Sequence, residues 1–99
     1  IAPFTRVAEW LSANPARLVG LADRKGRIAV GCDADLSIWN HEEEWTVVGE
    51  QLQHRHKLTP YEGERLRGRV QQTYVRGQLA YEDGKFPAGP IGELLRRNP

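Results

Sequence analysis

The sequence predicts an α+β chain: two helices at the N-terminal end, then short antiparallel strands that make up part of a β-sandwich. Three observations carry this. Residues 4 to 13 place apolar side chains at helical spacing, and a second short helix from Pro15 to Val19 runs into a glycine. From Lys25 onward the spacing changes to alternation, punctuated by glycine and aspartate turns. Two facing sheets need more strands than the sequence offers, and its helices do not alternate with strands. The predicted sandwich is therefore incomplete, joined to the end of something helical.

Phe4, Val7, Ala8 and Leu11 form the i, i+3, i+4, i+7 stripe of an amphipathic helix, which Pro3 suits as an entry. Ser12-Ala13-Asn14-Pro15 predicts a stop, with Asn14 as the N-cap of a second short helix and Pro15 at its first position. That helix, Pro15 to Val19, ends at Gly20, which can take the left-handed C′ conformation.

Gly26, Gly31 and Asp33-Ala34-Asp35 mark turns, and Leu36-Ser37-Ile38-Trp39 alternates as a strand does. Glu42-Glu43-Glu44 reads as a solvated loop ahead of a second strand at Trp45-Thr46-Val47-Val48. Thr59-Pro60-Tyr61-Glu62-Gly63 predicts a tight turn. A hairpin follows from Val70 to Glu82, with Arg76-Gly77 as its two-residue turn and Asp83-Gly84 closing the second strand. Phe86-Pro87-Ala88-Gly89-Pro90 cannot be helix, because its prolines remove donors and fix φ. Leu94 to Arg97 form a short terminal turn at best.

Bulk properties exclude several classes. With 99 residues the chain holds one small domain. Its mean hydropathy is −0.60, and no apolar run approaches the roughly 18 residues of a membrane span. Fourteen basic and thirteen acidic side chains are mostly interspersed, so neither nucleic acid nor a membrane surface is an expected partner. Arg65, Arg67 and Arg69 are locally basic, with Glu62 and Glu64 beside them. The single cysteine, Cys32, cannot form an internal disulfide, which points to a reducing, cytoplasmic setting. A start at Ile1, with no signal-peptide pattern, reads as a fragment or a cleavage product.

Asn14-Pro15-Ala16-Arg17-Leu18-Val19-Gly20-Leu21, followed by Lys25-Gly26-Arg27-Ile28-Ala29-Val30-Gly31-Cys32-Asp33-Ala34-Asp35-Leu36, resembles the closing signature of the cyclic amidohydrolases. The resemblance implies that 1–24 is the helical end of a TIM barrel, 25–86 the C-terminal part of a composite β-sandwich, and 87–99 an extended tail. His54-Arg55-His56-Lys57-Leu58-Thr59-Pro60-Tyr61-Glu62-Gly63, the hairpin Thr73 to Tyr81 and the Phe86 to Gly92 tail are similar to the end of the allantoinases. They fit a dihydroorotase, another hydantoinase or a non-catalytic assembly protein of the same scaffold less well.

An allantoinase-like parent implies hydrolysis of the hydantoin ring of allantoin to allantoate. It also implies a binuclear metal site, usually zinc, bridged by a carbamylated lysine, and a homo-oligomer such as a tetramer. The same resemblance places every ligand upstream, so no catalytic, cofactor-binding or metal residue is assigned to this chain. Its partner is then the remainder of its own chain, the barrel and the N-terminal strands. The piece alone is expected to be inactive.

Several residues imitate active groups. His54 and His56 spell the H-x-H of a metal pair, but only His41 could join them, and a catalytic zinc site wants three or more protein ligands. They read as surface or loop-anchoring histidines. Cys32 reads as a packed or idle thiol without a base, and Asp33 with Asp35 as turn-holding carboxylates rather than a catalytic pair. Trp10, Trp39 and Trp45 read as core or interdomain contacts rather than a ligand platform. Arg55 and Lys57 read as solvent or sandwich-edge contacts, and are the residues best able to reach an active-site mouth or a neighbouring subunit. Val7, Leu11, Ile38, Val47 and Val75 are expected to be exposed apolar surface when the parent's other parts are missing.

Overall fold

A computed structural model describes residues 3–53 and 55–96. Helical backbone runs without a break from 4 to 18, as α1 (Phe4–Ala8), a π-helical stretch (Glu9–Ala13) and α2 (Asn14–Leu18). This corrects the pair of helices separated by an Asn14 cap. Asn14 has helical dihedrals, φ −67° and ψ −45°, and donates its N–H to the Glu9 carbonyl five residues back. Its side-chain oxygen accepts from the Arg17 guanidinium instead of capping a backbone N–H. Pro15 supplies the reason. It has no N–H for the carbonyl four residues earlier, and the helix adapts by widening one turn rather than stopping.

The helix ends as predicted at Gly20, with φ 78°. Leu21 N–H reaches the Ala16 carbonyl at 2.8 Å and Gly20 N–H the Arg17 carbonyl at 3.2 Å, the two bonds of a Schellman motif. The chain then folds back along the helix. Gly26 has φ 94°, and a Cβ there would stand 2.6 Å from the Ala16 Cβ and 2.9 Å from the Ser12 carbonyl oxygen. Only glycine allows this approach.

Three antiparallel strands follow in the order β1 (Leu36–Thr46), β2 (Arg65–Val75) and β3 (Gln78–Glu82). The two strands expected at residues 36–39 and 45–48 are one, β1, with its register shifted between Asn40 and Glu44. The acidic run is therefore not a loop. Glu44 accepts from Arg65 and Arg67 of β2 at 2.8 and 3.0 Å, and Glu43 lies 3.5 Å from Arg69. These opposite charges face one another across the ladder on its exposed side. Trp45 adds a bond from its indole N–H to the Gly68 carbonyl at 2.8 Å. Pairing continues beyond β1, where Val47 and Glu64 share a 2.9 Å bond and Gly63 N–H reaches Val47 at 2.9 Å.

The β2–β3 hairpin turns on Arg76 and Gly77 at φ 48° and 81°, the double positive φ of a type I′ turn. Asp83 and Gly84 repeat it at φ 44° and 87°, closed by the Glu82–Lys85 bridge. Beyond it the tail packs the Phe86 ring on Tyr81, centroids 5.4 Å apart. From 89 to 96 the backbone has no regular structure, the terminal-turn residues Leu94, Leu95 and Arg96 included, and Arg97 lies outside the described residues.

Little of this is interior. Among the described hydrophobic residues only Val47, 3% exposed, and Ala16, 7% exposed, are buried. Val47 was expected on the surface, and the pairing of its backbone with 63 and 64 explains its burial. Leu11 and Ile38 are exposed as expected, while Val7 and Val75 are half-buried. The accessible surface is 8262 Å². A folded monomer of 11.2 kDa has about 5700 Å². The Cα radius of gyration, 15.5 Å, likewise exceeds the roughly 13 Å usual for this length.

Candidate functional site

Two features meet where the helical segment faces the start of β1. One is an ionic clasp. The Asp33 carboxylate accepts from Arg24 Nε at 2.6 Å and lies 2.8 Å from Lys25 Nζ, which also contacts Asp35. The other oxygen of Asp35 accepts the Arg76 backbone N–H at 2.9 Å, and Gly77 N–H reaches the Ala34 carbonyl at 2.9 Å. The turn between β2 and β3 is thus fastened to the loop ahead of β1. Arg76 also fastens the tail, donating to the Ile91 carbonyl and lying 3.6 Å from Glu93.

This clasp sets the local charge states. Lys25, and then Arg24, hold the Asp33 carboxyl below the usual carboxylate range. Partial desolvation raises Asp35, but the Lys25 ammonium and the Arg76 N–H outweigh it, so its acidity is also increased. Their hydrogen bonds to the aspartates raise Lys25 and Arg24 in turn. Asp33 and Asp35 were expected to hold their own turn by local side-chain bonds; instead each is engaged by a cation from outside the turn, and Asp35 also by the Arg76 N–H. The sequence reading missed those partners, although basic Arg24-Lys25 and acidic Asp33/Asp35 flank a glycine-bounded loop that brings its ends together.

The second feature is an open groove of about 1050 Å³ between the helical segment and the loop leading into β1. Phe4, Val7, Leu11, Ile28, Leu36 and Trp39 give it an apolar lining, with the clasp at its rim. The amphipathic stripe read from the sequence thus faces a space rather than a packed core. At one end Phe4 meets Trp39 and His41 edge-on at 5.3 Å each. Trp39 therefore makes a helix-to-sheet contact, and Trp45 belongs to the β1–β2 pairing. Trp10 remains 54% exposed.

The remaining candidates are dispersed. Cys32 Sγ is 3.8 Å from the Asp23 carbonyl oxygen. Arg55, His56 and Lys57 lie exposed in the loop before Gly63, where Lys57 donates to the Leu52 carbonyl. His54 lies outside the described residues. No group of three or more His, Cys, Asp or Glu among the described residues could hold a metal ion. The described residues do not fit a binuclear zinc centre: Asp33 and Asp35 are engaged by Arg24 and Lys25, and His41 meets the Phe4 and Trp39 rings edge-on.

Residues 2–80 match the amidohydrolase family model. The chain belongs to the amidohydrolase family. It is 46% identical over 93 residues to the allantoinase of Streptomyces avermitilis, covering 94% of this chain and 20% of that protein. A dihydroorotase of Caldanaerobacter subterraneus is 40% identical over 79 residues, 80% of this chain and 18% of that protein. Among solved amidohydrolase structures, a D-hydantoinase (dihydropyrimidinase) from Thermus sp. superposes with a TM-score of 0.77 at 34% identity, over 92% of this chain and 19% of that one. The chain spans about a fifth of the length of the relatives it matches.

Proposed function

We propose that the chain is the scaffold-forming C-terminal portion of an allantoinase-type amidohydrolase, an enzyme that opens the hydantoin ring of allantoin to allantoate. The observation that carries this is the 46% identity to an allantoinase along 94% of the chain. In this reading 1–24 closes the barrel, 25–86 contributes to the sandwich and 87–99 is the tail. The groups that bind metal and attack the ring belong to the remainder of the enzyme. So does the binuclear zinc with carbamylated lysine that the family resemblance implies. A homo-oligomer in the cytoplasm completes the reading.

The role of this portion is mechanical. Its clasp and Gly26 contact fix the helix end against the sheet, which gives the parent a rigid surface to build on. A related cyclic amidase acting on dihydroorotate or a hydantoin is the second reading, favoured by the 40% identity to a dihydroorotase and the likeness to hydantoinases. Comparing ring-opening of allantoin with that of dihydroorotate by the parent enzyme that contains this chain separates the two substrates. Replacing the matching fifth of the S. avermitilis allantoinase with this chain tests the scaffold role. The chimera is expected to open allantoin at a rate close to that of the unmodified enzyme. A chimera that is folded but slower by about a hundredfold or more, a loss of roughly 2.7 kcal/mol in transition-state stabilisation, goes against the proposal.

A further inference from the structure

We propose that the tail from Lys85 to Glu93 is an edge guard, a fourth strand that starts against β3 and is halted by Pro87. Arg76 straps it down, so that β3 does not take up a strand of a second copy. β3 is the last strand of the sheet, and its outer edge meets no further strand among the described residues. An uncovered edge is a template for pairing with another chain, and proline is one of the residues that blunt it.

After the Asp83-Gly84 turn, Glu82 and Lys85 exchange both backbone bonds, at 3.0 and 2.9 Å. Antiparallel pairing has thus begun on the outer edge. One residue further it sets Phe86 opposite Tyr81, and those rings do meet, centroids 5.4 Å apart. Bonded and non-bonded pairs alternate, so the next bonded pair sets residue 87 opposite Ala80. Residue 87 is proline and has no N–H to give. Gly89 turns its N–H back to the Phe86 carbonyl at 3.3 Å, and among the described residues no backbone bond joins 86–96 to 78–81.

The far end of the tail is latched. Arg76 has φ 48° at a turn position that favours asparagine, aspartate or glycine, and its side chain offsets that strain. Its guanidinium donates to the Ile91 carbonyl and lies 3.6 Å from Glu93, while Asp35 holds its backbone N–H at 2.9 Å. The tail is therefore fixed at both ends of β3, by Lys85 at Glu82 and by Ile91 beside Arg76 and Gln78. Six residue steps from Lys85 to Ile91 reach at most about 20 Å, and the four steps of β3 need about 13 Å. The strap spans the strand, with slack left for the turn at Gly89.

Hydrogen exchange with mass spectrometry on the 99-residue chain tests this. Pro87→Ala restores the missing donor, and exchange of 85–89 is expected to slow roughly tenfold as the ladder lengthens. Arg76→Ala keeps the backbone bond to Asp35 and frees the tail, so exchange of 88–93 is expected to rise roughly tenfold, the scale of one charge-assisted hydrogen bond. In that variant β3 is expected to exchange more slowly as protein concentration rises, because a second copy adds its strand; the unaltered chain shows no such dependence. The apolar groove is lined by other elements, so association through it leaves this readout alone. A chain ending at Pro90 loses the latch with Arg76 intact and is expected to behave as Arg76→Ala does, which separates tail release from damage to the turn. Four results would each overturn the proposal: unchanged tail exchange in Arg76→Ala, no added protection in Pro87→Ala, a chain ending at Pro90 whose β3 behaves as in the unaltered one, or concentration-dependent β3 exchange in the unaltered chain.

Discussion

At Gly26 a single methyl group decides whether the chain can fold back along its helix. The added Cβ meets the Ala16 Cβ at 2.6 Å and backbone atoms of 12 and 13, and φ of 94° is strained for any L side chain. Gly26→Ala is therefore expected to cost about 2–4 kcal/mol, combining backbone strain with overpacking. A shift in the urea midpoint, followed by tryptophan fluorescence, measures it. Asp33 and Asp35 make the second expectation at this scale. Both have folded-state acidities stronger than the unfolded value of about 3.9, so their contribution is complete above that pH and is lost as pH falls below it. Acid titration by circular dichroism should show destabilisation in that window. The Asp33→Asn, Asp35→Asn double variant should be less stable at neutral pH and flatter in acid. Lys25 acts in the opposite sense, contributing below the unfolded lysine value of about 10.4 and losing that contribution at higher pH.

Among the elements, the β1–β2 pair separates interactions that look alike. Glu44 bridges two arginines that are 71% and 67% exposed, and such pairs contribute little. Glu44→Ala should change the denaturant midpoint by less than about 1 kcal/mol. Trp45→Phe removes a partly buried bond to the Gly68 carbonyl and should cost about 1 kcal/mol or more. If the ranking is reversed, charge rather than the indole contact holds the strand pair. The same elements show what the sequence made legible. Arg76-Gly77 and Gly20 were readable because a two-residue turn and a helix end are local events. The unity of β1 was not, since the β2 residues that pair with its acidic run lie more than twenty residues away. At Asn14-Pro15 the local stop signal was real, but the helix widened and continued.

For the whole molecule, the missing interior is the main fact. Two buried hydrophobic residues among those described cannot support a strongly cooperative transition, and the groove leaves apolar side chains in water. The isolated chain should bind a hydrophobic dye, self-associate at raised concentration and unfold over a broad denaturant range. A dye-silent monomer with a sharp transition contradicts this. Exposure was foreseeable from the apolar stripe of residues 4 to 11, whereas the groove was not, because Ile28 and Trp39 reach it from separate turns of the chain. The carboxylate pair was legible as a turn device, but its saturation by Lys25 and Arg24 emerged only in three dimensions. These features belong to one account, in which the chain supplies scaffold and the hydrolytic groups lie elsewhere in the enzyme. Allantoin ring-opening by the 99-residue chain, assayed after chelation and again after zinc is restored, tests that account most directly. It predicts no rate above the uncatalysed reaction in either state; a rate that zinc restores and chelation removes would contradict it.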